Sequence, residues 1–182
     1  MKTAVIGVGN IIFKDDGIGV FASRFLEENY AFSGAVDCID GGTLGIHLLH
    51  YYETYERVLI LDTISLQDEV GSIYAIPSEE LLGLGGHKNT AHEVEVSDMI
   101  NASLFLQNPA QIKVIGIVPH DIESVAIGLS GELEEFFEPF VAAVLGELAK
   151  SGIEAIPKKQ TASLREIVQT YQNPQDVRLG NE

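Results

Sequence analysis

Cysteine and basic residues are both scarce in this chain, and each scarcity excludes a class of function. Cys38 is the single cysteine among 182 residues, so no disulfide can form within the chain and no thiolate cluster can bind a metal. The 11 lysines and arginines are outnumbered by 27 aspartates and glutamates, which gives a formal charge of −16. This charge argues against nucleic acid or an anionic membrane as the main partner, and it suits a cation or a basic protein segment.

Long apolar runs are missing as well. No stretch reaches the roughly 20 apolar residues that a membrane-spanning helix needs. The apolar N-terminal run is interrupted by Gly9 and Asn10, too early for a signal peptide. Together with the single cysteine, these features predict a cytoplasmic protein. The length and composition predict an α/β domain over residues 1–157 and a polar C-terminal extension over residues 158–182.

Short apolar runs with strand character alternate with amphipathic segments. The predicted strands are residues 3–8, 35–39, 57–61, 71–76 and 112–118, and the predicted core helices are residues 18–30, 44–52, 93–106 and 131–150. This order predicts a three-layer αβα sandwich around a five-stranded, mostly parallel twisted sheet. The fourth strand follows the third too closely for a crossover helix, so it is expected to be the one antiparallel strand.

The C-terminal extension contains a helix-start signal. Ser163-Leu164-Arg165-Glu166 resembles a capping box, and Ile167, Val168 and Tyr171 continue at helical spacing. A short helix is therefore expected, which could dock on the body, contact a partner or form a partly ordered appendage.

Three residues of metal-binding type stand at expected turns of the chain. Asp16 follows the first strand, Asp62 ends the third, and His92 opens the helix that leads into the fifth. In an open parallel sheet, the carboxyl ends of the strands and the amino ends of the crossover helices share one edge. The three side chains are therefore expected to converge, and two carboxylates with an imidazole suit nickel, zinc or manganese.

A nucleotide site is the competing interpretation of the same edge. Gly7 and Gly9 after the first strand invite a dinucleotide fingerprint, with Asp40 serving the ribose. Ile12 occupies the position of the third glycine, and the carboxylates of Asp15 and Asp16 would repel a pyrophosphate. A cation is the better expectation.

Several segments together resemble the nickel–iron hydrogenase maturation endopeptidases over about residues 1–157. The segments are Gly7–Val20 (GVGNIIFKDDGIGV), Asp40–Gly45 (DGGTLG), the third strand with Asp62, the loop around His92, and Ile115–Pro119 (IGIVP). Relatives often carry glutamate at the position of Asp16, so this aspartate is a conservative departure with a shorter reach. Asp15 matches a separate aspartate of the family, which favours Asp16 over Asp15 as the metal ligand.

The resemblance implies an endopeptidase that removes the C-terminal peptide of a hydrogenase large-subunit precursor after nickel insertion. It assigns recognition of the nickel, which the substrate supplies, and catalysis to Asp16, Asp62 and His92. It assigns substrate binding to the glycine-rich loop formed by Asp40, Gly41, Gly42 and Thr43. A carboxylate outside the metal site, Asp40 or Asp15, is a candidate for proton transfer.

Three alternatives remain open at this point. Asp16 and Asp62 could act as an aspartic-protease pair that shares a proton. The same three residues could serve a non-enzymatic chaperone that checks for nickel. A nucleotide-binding α/β domain is the third possibility. A serine or cysteine nucleophile is not expected, because no Gly-x-Ser-x-Gly elbow is present and Cys38 lies inside a predicted strand.

Overall fold

The computed structural model describes residues 1–43, 45–83, 98, 100–103, 105–106 and 109–174. Within these ranges the strands are β1 (Thr3–Val8), β2 (Tyr30–Phe32), β3 (Val36–Gly42), β4 (Arg57–Thr63), β5 (Ile73–Pro77), β6 (Gln111–Ile117) and β7 (Ala155–Pro157). The helices are α1 (Ile18–Asn29), α2 (Leu49–Thr54), α3 (Ser78–Gly83), α4 (Gly131–Glu134), α5 (Phe137–Ala149) and α6 (Leu164–Gln172), with 3-10 turns at Lys14–Gly17 and Gly45–Leu48. Residues 98 and 100–103 are also helical.

Five of the strands form one sheet in the order β3-β1-β4-β6-β5. Strand β1 pairs in parallel with β3 and β4, β4 pairs in parallel with β6, and β5 runs antiparallel to β6 at the sheet edge. The predicted five-stranded, mostly parallel sheet with one antiparallel strand is confirmed. Strand β5 follows β4 in sequence but lies beside β6 in the sheet, because β6 occupies the position next to β4.

Helices cover both faces of this sheet, as the predicted three-layer sandwich requires. On one face, Leu59 and Leu61 of β4 join a buried core with residues of α1, α5 and α6. On the other face, Val58 and Ile60 pack with α2 and with the helical residue Ile100. Successive strand residues point to opposite faces, so this alternation decides on which side each residue at the end of β4 lies.

The helix predicted over residues 131–150 is wrong as a single element. The structure has α4 and then α5, with a break at residues 135–136. A continuous helix would need an amide hydrogen at Pro139 and would push the proline ring into the carbonyl of Glu135. In α5, Pro139 lies in the first turn, where a missing N–H costs nothing.

Other boundaries also differ from expectation. The predicted loop after the second strand is partly strand, because β3 continues through Asp40 and Gly41 to Gly42. Tyr30 was expected to be the last residue of α1. Instead, residues 30–32 form β2, which pairs antiparallel with β7 in a small two-stranded sheet. Such three-residue pairings carry too few residues for a periodic pattern to predict them.

The C-terminal extension docks on the body as far as the structure describes it. The predicted capping box is confirmed: Ser163 and Glu166 bond each other's backbone amides at the start of α6. Ile167 is 2% exposed in the core shared with α1 and α5. At the end of α1, the side-chain amide of Asn29 donates a hydrogen bond to the carbonyl of Ala162 at 2.9 Å and accepts one from the Ala162 backbone amide at 2.7 Å.

Among the described residues, no helix combines the length and the apolar character that crossing a membrane would require.

Candidate active site

Two close backbone contacts hold the first motif on the carboxyl ends of β1 and β4. A Cβ at Gly19 would lie 2.1 Å from the carbonyl oxygen of Leu61 and 2.5 Å from that of Val8, so only glycine lets α1 approach both strands. A Cβ at Gly9, where φ is +129°, would lie 1.7 Å from the carbonyl oxygen of Asp16. The glycines of this motif are therefore explained by backbone packing around Asp16, without a phosphate.

Asp16 is buried at this edge, with 6% of its surface exposed. It stands in the 3-10 turn that leads into α1. One carboxylate oxygen accepts the amide hydrogen of Asn10 at 2.8 Å, and the Oγ1 of Thr63 lies 3.4 Å from the other. These contacts orient the carboxylate from the ends of both β1 and β4.

Asp62 lies one residue from this contact and is 3% exposed. It follows Val58 and Ile60 along β4, so it continues the face that packs against α2, whereas Thr63 continues the face of α1. One oxygen of Asp62 accepts the amide hydrogen of Thr63 at 2.8 Å. Thr63 therefore contacts both carboxylates, one through its hydroxyl and the other through its backbone.

Asp15 makes a different set of contacts from those of its neighbour Asp16. Its side chain is fully buried and accepts four hydrogen bonds: from the amides of His120 (3.1 Å), Asp121 (2.8 Å) and Ser130 (2.6 Å), and from the Ser130 hydroxyl (2.8 Å). The Ser130 hydroxyl also accepts from the amide of Leu133 and so caps α4. Asp15 joins the loop before α1 to the segment after β6. Its suggested part in proton transfer is not supported, because all these donors hold it inside the protein.

The segment after β6 supports the first motif from outside. Lys14, with a φ of +44°, forms an ion pair with Asp121 at 3.0 Å and donates its amide to the carbonyl of Ala126 at 3.0 Å. Hydrogen bonds from the backbone and side chain of Ser124, together with the one from Lys14, hold the pKa of Asp121 well below its ordinary value. The Asp121 carboxylate therefore remains charged across the whole neutral range.

The glycine-rich segment predicted to bind substrate lies next to the first motif. Asp40 pairs with Gly7 in the parallel register of β1 and β3, and the carbonyl of Gly42 accepts the amide hydrogen of Gly9 at 3.0 Å. Asp40 is exposed, and one of its oxygens accepts the hydroxyl of Tyr171 on α6 at 2.9 Å. Thr43 is exposed in the turn that follows.

The third predicted metal ligand, His92, lies outside the described residues. In the described part of the chain, no group of three or more histidine, cysteine, aspartate or glutamate side chains is arranged to hold a metal ion. His120, which follows β6 at the same edge, donates its backbone amide hydrogen to Asp15, while its Nε2 lies 3.5 Å from a carboxylate oxygen of Glu132. Asp16 and Asp62 are thus the described part of the predicted site.

The thiol of Cys38 is a poor nucleophile in this fold. Cys38 is partly buried in β3, and burial together with the nearby charges of Glu27 and Asp37 raises the pKa of its thiol to about 12. The thiol is therefore protonated at neutral pH, and a protonated thiol is a poor nucleophile.

The sequence and the fold both match one family of known proteins. A family model described as hydrogenase maturation protease matches residues 20–147. The hydrogenase 2 maturation protease of Escherichia coli K12 is 34% identical over 161 residues, which covers 87% of this chain and 98% of the relative. This chain belongs to the hydrogenase maturation protease family.

Solved structures agree with this membership. The hydrogenase maturating endopeptidase HybD from Escherichia coli superimposes with a TM-score of 0.79 at 32% identity, covering 87% of this chain and 98% of that chain. The [NiFe] hydrogenase maturation protease HybD from Thermococcus kodakarensis has a TM-score of 0.67 at 27% identity, covering 82% and 99% of the two chains. The fold, and protease activity as the class of function, are therefore those of the family.

The sequence did not predict two side-chain contacts at the carboxyl edge of the sheet. Thr63 follows Asp62 directly, but only the three-dimensional structure shows that its hydroxyl approaches Asp16. Tyr171 was expected on a helix face, yet its contact with Asp40 spans 131 positions of the chain. The helical spacing of the extension was the one available signal for Tyr171. It indicated that the side chain packs on the body, but it did not indicate Asp40 as a hydrogen-bond partner.

Proposed function

We propose that this chain cleaves the C-terminal peptide from the precursor of a nickel–iron hydrogenase large subunit after nickel has been inserted. The observation that carries the proposal is the pair of buried carboxylates, Asp16 and Asp62, at the carboxyl edge of a sheet whose fold is that of hydrogenase maturation proteases. The relatives supply the substrate class, because the Escherichia coli relative is a hydrogenase 2 maturation protease. The single cysteine is in keeping with a cytoplasmic location for the reaction.

The nickel of the precursor is recognised in this proposal by Asp16, Asp62 and His92. The donor chemistry fits, since a carboxylate has about four lone-pair sites and can accept hydrogen bonds while it binds a metal. Asn10 and Thr63 orient Asp16, and the Thr63 amide orients Asp62. His92 enters through the family resemblance, as the imidazole that completes a mixed oxygen and nitrogen ligand set.

This chain's own residues bind and align the precursor. Nickel held between precursor and protease would act as a Lewis acid toward the scissile carbonyl or an adjacent water. Asp40 is the exposed carboxylate at the same sheet edge, so it is the candidate to hold the peptide strand or to accept a proton. Gly41, Gly42 and Thr43 extend this binding segment along the end of β3.

The test is cleavage of purified precursor with and without nickel. Incubation with this chain should shorten the nickel-loaded precursor by one C-terminal peptide, as measured by intact-protein mass, and should leave the nickel-free precursor whole. An unchanged mass for the loaded precursor would reject the protease proposal. Equal cleavage of both forms would reject recognition through nickel.

Variants separate the site from the activity. Asp16→Asn, Asp62→Asn and His92→Ala should each reduce cleavage by at least about 100-fold, since each removes a direct ligand. His50→Ala, which changes an exposed histidine on α2, is the matched control and should cleave at the normal rate. Normal cleavage by His92→Ala would leave the activity standing but reject the three-residue site.

A further inference from the structure

Helix α6 ends beside the predicted substrate-binding segment. Its position is well anchored, because Ile167 is almost fully buried and a capping box closes its first turn. The ring of Tyr171 packs edge-on against Phe21, with 5.6 Å between ring centroids. Phe21 is itself fully buried on α1. The aromatic contact therefore fixes the direction in which the Tyr171 hydroxyl points.

That hydroxyl donates to Oδ2 of Asp40 at 2.9 Å. The other oxygen, Oδ1, faces the glycine segment, 3.5 Å from the point that a Cβ at Gly42 would occupy. Asp40 is exposed, so without a partner its side chain would sample several rotamers. The hydrogen bond selects one orientation, in which Oδ1 is directed along the end of β3.

Tyr171 and Asp40 also line one cleft. The cleft has a volume of about 510 Å³, and its walls include Ile11, Cys38 and Asp40 on the body and Thr170, Tyr171 and Pro174 from the extension. Its size lies within the range of sites that bind small ligands or a few side chains. Burial and the neighbouring Asp40 carboxylate raise the pKa of Tyr171, so its hydroxyl keeps its proton at neutral pH.

We propose that Tyr171 is a positioning residue that holds Asp40 in the orientation needed to bind the precursor's peptide strand in this cleft. The inference rests on the proposed function, since it takes Asp40 as a substrate-binding residue. It gives the end of α6 a purpose beyond covering the core, because Thr170, Tyr171 and Pro174 form one wall of the peptide site. Tyr171 acts through Asp40 and takes no part in bond cleavage.

The test compares two tyrosines that make the same bond at opposite ends of β3. Tyr171→Phe keeps the ring on Phe21 and removes the hydroxyl. Tyr55→Phe removes an equivalent bond to Asp37 at 2.7 Å, near the amino end of the strand, and is the matched control. Cleavage of nickel-loaded precursor should show KM raised about three- to tenfold by Tyr171→Phe with kcat within about twofold of wild type. Tyr55→Phe should leave both constants unchanged.

Two further measurements isolate the role of Asp40. In an Asp40→Ala background, adding Tyr171→Phe should change KM no further, because the pair acts as a unit. Amide hydrogen exchange of residues 40–43 should be faster in Tyr171→Phe and normal in Tyr55→Phe.

An unchanged or lowered KM in Tyr171→Phe would overturn the inference, as would additive effects in the double variant or unchanged exchange at residues 40–43. If wild-type protein leaves the precursor intact, the proposed function fails and the substrate role of Tyr171 fails with it. The exchange measurement would still decide whether Tyr171 orders Asp40.

Discussion

Asp15 and Asp16 are adjacent in sequence but make different contacts in the structure. Asp15 turns inward and accepts four hydrogen bonds from the segment between His120 and Ser130. Asp16 lies beside Thr63 at the sheet edge, where Asp62 ends the same strand. The choice of Asp16 as the candidate ligand stays a prediction, but the structure gives Asp15 a sufficient structural purpose of its own.

The first residue-scale prediction concerns that purpose. Asp15→Asn should lower the free energy of unfolding by about 2–4 kcal/mol. Both carboxylate oxygens of Asp15 accept hydrogen bonds, and in the variant an NH2 group, which cannot accept, would face the donors of one of them. Urea denaturation measures the loss. Asp16→Asn is the comparison and should change stability by less than half as much while abolishing cleavage. An Asp15→Asn protein with the wild-type urea midpoint would contradict this account.

A second residue-scale prediction contrasts two glycines in helices. Gly19→Ala should destabilise the protein by at least about 3 kcal/mol, since its methyl group would meet two backbone carbonyls that cannot move independently. The methyl group of Gly146→Ala on α5 would meet nothing within 4 Å, so this variant should stabilise the protein by up to about 1 kcal/mol. Thermal unfolding of the two variants checks the signs, and equal shifts would reject the close-packing argument.

At the scale of elements, the sequence predicted the existence of α6 but not the surface on which it docks. Its start, length and apolar face follow from local signals, namely the capping box and the spacing of Ile167 and Tyr171. Its docking surface does not, because α1 and β3 supply that surface from more than 100 positions away.

The element-scale prediction tests the anchoring of α6. Ile167→Ala should lower the free energy of unfolding by about 2–4 kcal/mol, because it opens a cavity between α6 and α1. Ile156→Ala is the matched control: Ile156 lies on β7 with 52% of its surface exposed, and its loss should cost less than about 1 kcal/mol. Hydrogen exchange should show α6 losing protection in Ile167→Ala alone. Protection equal to wild type would mean that other contacts hold the helix.

At the scale of the whole molecule, the excess of acidic residues makes stability depend on pH. Hydrogen bonds and ion pairs lower the pKa values of carboxyl groups in several parts of the molecule; they include Asp37, Asp68, Asp121, Glu147 and Glu166. A group whose pKa is lowered by folding contributes stability above its unfolded pKa, and that contribution is lost as the pH falls through its folded pKa. The free energy of unfolding should therefore be level above about pH 5.5 and decrease steadily below about pH 4.5.

Glu147 offers a single-site check of this pH dependence. Its burial alone raises its pKa, but hydrogen bonds from Lys113 at 2.7 Å and from Lys150 outweigh burial and leave the pKa below the ordinary value of 4.5. Glu147→Gln should cost about 1–3 kcal/mol at pH 7, and this difference should shrink as the pH approaches 3. Denaturation at 0.15 M salt, where long-range repulsion is screened, is the measurement. A difference that stays constant with pH would exclude the ion-pair explanation.

The sequence by itself predicted the five strands of the main sheet, the single antiparallel strand among them, and the edge of the sheet that carries Asp16 and Asp62. These follow from local apolar periodicity and from the fixed handedness of crossover connections, which need no distant information. The family, by contrast, was indicated by the resemblance of several motifs. The break before α5 was also within reach of the sequence, since Pro139 excludes a continuous helix.

Only the tertiary structure decided which neighbour of the Asp15–Asp16 pair is structural, how the extension docks, and what holds Asp40. Each of these depends on contacts between distant positions, 115 residues apart for Asp15 and Ser130 and 131 for Asp40 and Tyr171. Local patterns report which side chains are buried, but hydrogen-bond partners emerge only when the sheet and its covering helices are assembled. For this reason the sequence could propose which residue types form the candidate site, but it could not predict the contacts that each of them makes.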